Sequence, residues 1–176
     1  PYTGLGFDEL ITSTNIISAN QWYHVAAVKE GTTRKIYVNG TESQLSGSAL
    51  NVTANNNPVR FGSDYGGRYF DGRIDEVRIW NTARTQEEIS FTMNIPPPLE
   101  STGLIAYYNF NSGSGDILFD QTGNGLDGAI MGGPQWVDGF TISGNLGDVN
   151  FDENLNVYDA VMLVAIMLGN EDGTDL

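Results

Sequence analysis

The stretch from Arg68 to Ile89 constrains this chain more than any other, because one hydrophobic period gives way to another within it. Gly72 breaks the approach. From Ile74 to Trp80 charged Glu76 and Arg78 interleave with apolar Val77 and Ile79, the period of two of a strand with one wet and one buried face. Thr85 is then followed three residues later by Glu88. In that capping-box pattern the hydroxyl and the carboxylate each satisfy an orphan amide at a helix start, so a short helix is expected from Gln86 toward Met93. Pro96, Pro97 and Pro98 cannot continue it, having no amide to donate.

Upstream, the segment from Trp22 to Lys29 is apolar on both alternating faces, as in a strand covered on both sides. If Trp22 is core, its removal costs about 3–5 kcal/mol. A strand over 34–38 ends in Asn39-Gly40, a hairpin signal because both residues accept positive φ, with 41–43 as the return. Weaker strands fall around Ile11 and at Ile16-Ile17. Asn55-Asn56-Asn57-Pro58 marks a turn before Val59-Arg60-Phe61, and residues 62–69 form a glycine-rich tip. After the prolines, residues 103–110 read as a strand with Leu104, Ala106, Tyr108 and Phe110 on one face. The expected core is Trp22, Val25, Ile36, Val38, Phe61, Val77, Ile79, Tyr108 and Phe110, with strand 104–110 in the same sheet system as 74–80.

A hydrophobic fraction of 40% with 22 glycines fits a turn-rich β protein with a real core. No apolar run approaches the roughly 20 residues that a membrane helix needs. The absence of cysteine excludes disulfides, thiolate metal sites and cysteine nucleophiles. All eight Lys and Arg residues lie at or before Arg84, balanced there by eight acids, whereas fourteen acids and no base follow. The net charge of −14 thus belongs to the C-terminal part, which disfavours nucleic acid as a partner and suits a cation. Pro1 is not an initiator and no leader pattern is present, so the start of the parent protein is expected to lie upstream.

The core Gly72-Arg-Ile-Asp-Glu-Val-Arg-Ile-Trp80, with Ala83-Arg84-Thr85 and Glu88-Ile89 behind it, resembles the last strand of laminin G-like, concanavalin A-like jelly-roll domains of secreted bacterial proteins. Residues 22–28, Lys35-Ile-Tyr-Val-Asn-Gly40 and Val59-Arg-Phe-Gly62 are similar to its preceding strands in order and spacing. The resemblance implies an all-β antiparallel jelly-roll sandwich, extracellular, that binds a glycan or a cell-surface ligand. The segment 113–136 resembles the one that opens such a domain; with no second copy of the later strands behind it, it is read as closing the same sandwich, the alternative being a truncated second domain. On the tip, Tyr65, Arg68 and Tyr69 with Asp64 can stack on a sugar and hydrogen-bond its hydroxyls. The same residues also suit a hairpin tip without a ligand, and exposure of the aromatics distinguishes the two. His24 is read as a hydrogen-bonded core histidine.

The fold also houses retaining glucanases, which need two carboxylates about 5–5.5 Å apart. Asp75 and Glu76 are neighbours on one strand and point to opposite faces, so no such pair lies in residues 74–80. The chain is therefore expected to be non-catalytic, the alternative being the C-terminal fragment of a secreted glycoside hydrolase whose acids lie upstream.

Residues 147–159 carry the clearest chemical motif. With Asp148 as position one, oxygen side chains fall at three (Asn150), five (Asp152), seven (Asn154) and nine (Asn156), with Asp159 at twelve. That is the spacing of a calcium loop, in which alternate side chains turn inward on a hard cation wanting six to eight oxygens. Nine apolar residues, 160–168, follow, and Gly169 is the expected helix cap. Loop plus helix resembles a dockerin calcium repeat, which implies bound calcium and, as partner, a cohesin-like protein or a second dockerin repeat. It departs from that pattern in Glu153 at the usual glycine position, in Phe151, in Val157-Tyr158, and in being a single repeat. A helix apolar on every side needs cover, so the natural C-terminus is expected beyond Leu176. The expected organisation is a sandwich over 1–142, truncated at its N-terminus, and an incomplete dockerin-like repeat over 145–170.

Overall fold

Asn39 and Gly40 take φ of 48° and 73°, the left-handed pair that a two-residue hairpin turn requires, and the strands on either side pair across them. The structure, a computed structural model, describes residues 11–12, 16–43, 45–46, 56–64 and 66–140. Among these are strands β1 (Ile11–Thr12), β2 (Val25–Glu30), β3 (Thr33–Val38), β4 (Thr41–Ser43), β5 (Leu45–Ser46) and β6 (Val77–Trp80), helix α1 (Gln86–Thr92), then β7 (Leu104–Tyr108), β8 (Ile117–Leu118) and β9 (Gly128–Ala129). All pairings are antiparallel: β2-β3-β4 form one sheet, and β1 with β5, β6 with β7 and β8 with β9 form ribbons. The chain divides into two compact units, residues 1–140 and 141–176, and every described residue belongs to the first.

The pairing of β6 with β7 bears out the expectation that residues 104–110 share a sheet with 74–80. Val77 faces Tyr108 and Ile79 faces Ala106, so these four share one side of the ribbon. There Ala106, Tyr108 and Leu118 are buried, with Val77, Ile79, Phe110, Ile130 and Trp136 packed against them. Phe61 meets Tyr108 edge-on, with ring centroids 5.5 Å apart.

The expected helix is present, and its capping box closes in both directions. The Glu88 amide donates to Thr85 Oγ1 at 3.2 Å and the Thr85 amide to Glu88 Oε2 at 2.8 Å. Its last turn is closed by a side chain from the sheet: Arg78 donates to the Thr92 carbonyl at 2.6 Å and to the Ile95 carbonyl at 2.7 Å. The Thr92 carbonyl, the last of the helix, also accepts from the Ile95 amide at 3.3 Å, so Arg78 ties the helix end to the chain just beyond it.

Three expectations about burial are corrected. Trp22 is 39% exposed, Val25 55% and Phe61 37%, while the most deeply buried apolar side chains include Tyr37, Ile89 and Leu104. Along β2, Val25 and Ala27 are exposed and Ala26 and Val28 half-buried, so the strand is covered on one face only. Ile36, Val38, Val77, Ile79 and Phe110 are half-buried, and Tyr108 is buried. Ile16 and Ile17 lie outside any strand. β6 begins at Val77 rather than Ile74 because Glu76 takes φ 54°, a left-handed conformation that breaks the extended run. Such a residue costs about 1–3 kcal/mol and persists only where its surroundings over-determine it. Here the Glu76 carboxylate accepts from the Tyr107 hydroxyl at 2.8 and 3.0 Å and from Arg78 at 3.3 Å.

Candidate functional site

Gly62, at φ 76°, turns the chain out of residues 56–61 into a short ribbon closed by a bridge between Ser63 and Tyr69. The Phe70 amide donates to the Gly62 carbonyl at 2.8 Å and the Asp64 amide to the Arg68 carbonyl at 3.1 Å. Inside the tip Asp64 is the organiser. Its Oδ1 accepts from the amides of Gly66 at 2.8 Å and Arg68 at 2.9 Å, and its Oδ2 from Arg68 Nε. Those bonds, the Arg68 amide first, hold the Asp64 carboxyl below its ordinary range. Asp64 is thus committed to loop geometry, and it fixes the Arg68 guanidinium beside the tip. Tyr69 is 79% exposed and Phe70, next in the chain, 61%. Successive residues of an extended ribbon point to opposite faces, so the two rings flank the tip on its two sides. Tyr65 lies outside the described residues. Phe70 was not among the residues singled out from sequence; its signal is its place beside Tyr69 just before Gly72, where a buried strand residue would have been followed by further alternation.

A second polar group lies around the β6 ribbon. Arg78, whose side chain is 8% exposed, joins Glu76, the carbonyls of Thr92 and Ile95, and the face of the Tyr107 ring at 5.8 Å. Burial, and then the hydrogen bond to Glu76, push the Tyr107 hydroxyl well above the ordinary tyrosine range. His24 donates its backbone amide to Asn39 Oδ1 at 2.9 Å, and its ring Nδ1 is buried without a hydrogen-bond partner. Burial, and then the Arg78 charge, lower its pKa. The histidine is therefore a neutral, half-buried side chain whose backbone, rather than its ring, carries the hydrogen bond.

Asp75, the other acid beside this ribbon, accepts from the Glu76 amide at 2.8 Å and from the Phe140 amide at 2.7 Å. Arg73 donates to the Asp138 carbonyl at 3.3 Å, and Phe140 packs edge-on against Trp22 at 5.9 Å. Residues 138–140 are in this way strapped to the start of β6. A cleft of about 1100 Å³ opens alongside, between β2 and β6. The calcium-loop residues Asp148, Asn150, Asp152, Asn154, Asn156 and Asp159 lie outside the described residues, as does the apolar segment 160–168. Among the described residues no group of three or more His, Asp or Glu side chains is placed to hold a metal ion, and no helix is long and apolar enough to cross a membrane.

A three-stranded antiparallel sheet with three antiparallel ribbons fits a β-sandwich, and comparison with known proteins gives that frame its class. Residues 3–90, half the chain, match the concanavalin A-like lectin/glucanases superfamily, and the chain belongs to it. Among solved structures it is similar to a candidate carbohydrate binding protein from Bacteroides ovatus, with 27% identity and a TM-score of 0.52 over 68% of this chain and 39% of that one. It is also 32% identical over 74 residues to pappalysin-1 of Mus musculus, a match covering 39% of this chain. The chain spans 5% of the length of the mouse protein and well under half of the bacterial one.

Proposed function

We propose that this chain is a non-catalytic carbohydrate- or surface-binding module of a larger secreted protein, and that it engages a glycan through the tip formed by Asp64, Tyr65, Arg68, Tyr69 and Phe70. The observation that carries this reading is the 79% exposure of Tyr69 on a tip fixed by Asp64. A large aromatic ring held out in water on a hydrogen-bonded ribbon is a stacking platform prepared before the ligand arrives. The likeness to a candidate carbohydrate binding protein supports the same ligand class. The non-catalytic part of the reading is supported by the two acids beside β6. Asp75 is engaged by two backbone amides and Glu76 by Tyr107 and Arg78, which leaves neither in the arrangement of an acid paired with a nucleophile. A glycan-array screen tests the reading: the wild-type chain should bind a defined set of oligosaccharides, and Tyr69→Ala should lower affinity about tenfold, the size of one lost stacking contact. Unaltered binding by Tyr69→Ala with Phe70→Ala would remove the tip as the site.

The second half of the proposal concerns anchoring. Residues 148–159 would hold calcium through Asp148, Asn150, Asp152, Asn154, Asn156 and Asp159, supported by the alternation of oxygen ligands in the sequence. Calcium would serve a structural role there, drawing three carboxylates and three amide side chains together, and the repeat would then dock on a cohesin-like protein or a second repeat. Titration calorimetry should give a dissociation constant of about 10⁻⁴–10⁻³ M, because Glu153 replaces the turn glycine. The calcium heat should vanish in the Asp148→Ala, Asp159→Ala double variant.

A further inference from the structure

The hydrogen bonds of the ribbon that carries Tyr69 settle which side chains share a face with its ring. The Asp64 amide donates to the Arg68 carbonyl and the Phe70 amide to the Gly62 carbonyl, so the two bonds flank the bridge between Ser63 and Tyr69. Ser63 and Tyr69 are therefore a non-hydrogen-bonded pair, the kind whose Cα atoms stand about 4.5 Å apart and whose side chains lie closest together on one face. Residues one step along the chain point the other way. Asp64, Arg68 and Phe70 accordingly share the opposite face, and the ion pair of Asp64 with Arg68 across the ribbon is the direct sign of it. The two faces differ in chemistry: one carries a carboxylate and a guanidinium, the other an uncharged ring and an uncharged hydroxyl. Neither the Ser63 nor the Tyr69 hydroxyl has a hydrogen-bond partner among the described residues, and Ser63 Oγ is not sealed from water. Phe61, two residues before Ser63, is turned onto Tyr108 instead. The fold thus holds a ring and a hydroxyl side by side without using either hydroxyl for itself.

We propose that Ser63 is a ligand-binding residue: a sugar stacked on the Tyr69 ring exchanges a hydrogen bond with the Ser63 hydroxyl, and the sugar recognised on that face is uncharged. The inference rests on the reading of the tip as a glycan site and adds to it a residue and a class of ligand. A lone ring supplies contact area but little orientation, since a stacked sugar is free to turn upon it; a polar group at a fixed distance is what sets the orientation. Directly opposed residues have Cβ atoms about 4.5–5.5 Å apart, so ring and hydroxyl reach the same sugar unit. A hydroxyl donates and accepts, as sugar hydroxyls do, and it has no charge to offer a carboxylate or a sulfate. The Arg68 guanidinium is held on the far face by Asp64.

The test is titration calorimetry on the whole chain with four neutral oligosaccharides, cellohexaose, xylohexaose, mannohexaose and galactohexaose, and with hexagalacturonate as the charged counterpart. At least one neutral sugar should bind, about tenfold or more tighter than hexagalacturonate, with the same affinity in about 50 mM and about 500 mM NaCl. Ser63→Ala should lower that affinity about tenfold, the size of one lost hydrogen bond, and leave the circular dichroism spectrum and the urea midpoint unchanged. The pair Ser63→Thr and Ser63→Val, nearly equal in shape, separates the hydroxyl from packing: the threonine variant should bind as the wild type does and the valine variant should match Ser63→Ala. Binding of none of the five sugars would bring down the glycan reading of the tip and this inference with it. Binding that survives Ser63→Ala and Ser63→Val, is lost equally in Ser63→Thr, weakens at high salt or favours hexagalacturonate would overturn this inference alone and leave the glycan reading standing.

Discussion

Arg78 shows how much one side chain can hold. It closes the end of α1, neutralises Glu76 and lies over the Tyr107 ring, all while nearly buried. Truncating one member of a buried, hydrogen-bonded ion pair leaves the other charge unpaired, at a cost of about 3–5 kcal/mol. Arg78→Ala is accordingly expected to lower urea stability by that amount, and Arg78→Lys to restore little of it, since one ammonium cannot reproduce the planar fork on both carbonyls. The neighbouring histidine gives a pH signature. Its folded pKa lies below the ordinary 6.5, through burial and then Arg78. Above pH 6.5 both folded and unfolded forms are neutral, so the ring adds no pH dependence there. Below it the unfolded chain takes the proton first, and stability falls as pH drops toward the folded value. Urea midpoints at pH 7.5 and 5.5 should show this slope, and His24→Gln should flatten it.

At the scale of elements, legibility followed locality. The capping box and the Asn39-Gly40 turn were readable because each is decided by residues within four positions of one another. Thr85→Ala should therefore cost about 1 kcal/mol by chemical denaturation, and Thr85→Ser almost nothing. Gly40→Ala should cost more than an ordinary turn substitution. An added Cβ would stand 3.2 Å from the Ser90 Cα, on a backbone already at positive φ. What the sequence did not disclose was coverage: Trp22 and Val25 have the pattern of a two-sided strand, yet burial depends on what lies across from them, and that is not encoded in β2. Nor did alternation reveal the left-handed Glu76, which is held by Tyr107, thirty-one residues away in sequence. The tip was legible as a tip from its glycines, whereas the role of Asp64 as its organiser and the exposure of Phe70 emerged only with the backbone in place.

For the molecule as a whole, the core between β6 and β7 is built from both halves of the described chain, since Val77 and Ile79 are covered by residues after the proline run. Leu118→Ala should cost about 2–5 kcal/mol in a single cooperative transition, measured by circular dichroism across a urea gradient. Separate transitions for 16–90 and 103–140 would contradict a shared core. The strap at residues 138–140 bears on how the chain answers to tension. Gly139 passes so close to Asp75 that a side chain there would collide with the carboxylate, and the Phe140 amide is tied to the same group. A pull applied at residue 141 reaches the folded body first through Asp75 and Arg73 rather than through β7 to β9. The strap then acts as a strain relief, yielding a few bonds at the rim before load falls on the ladder that holds the core.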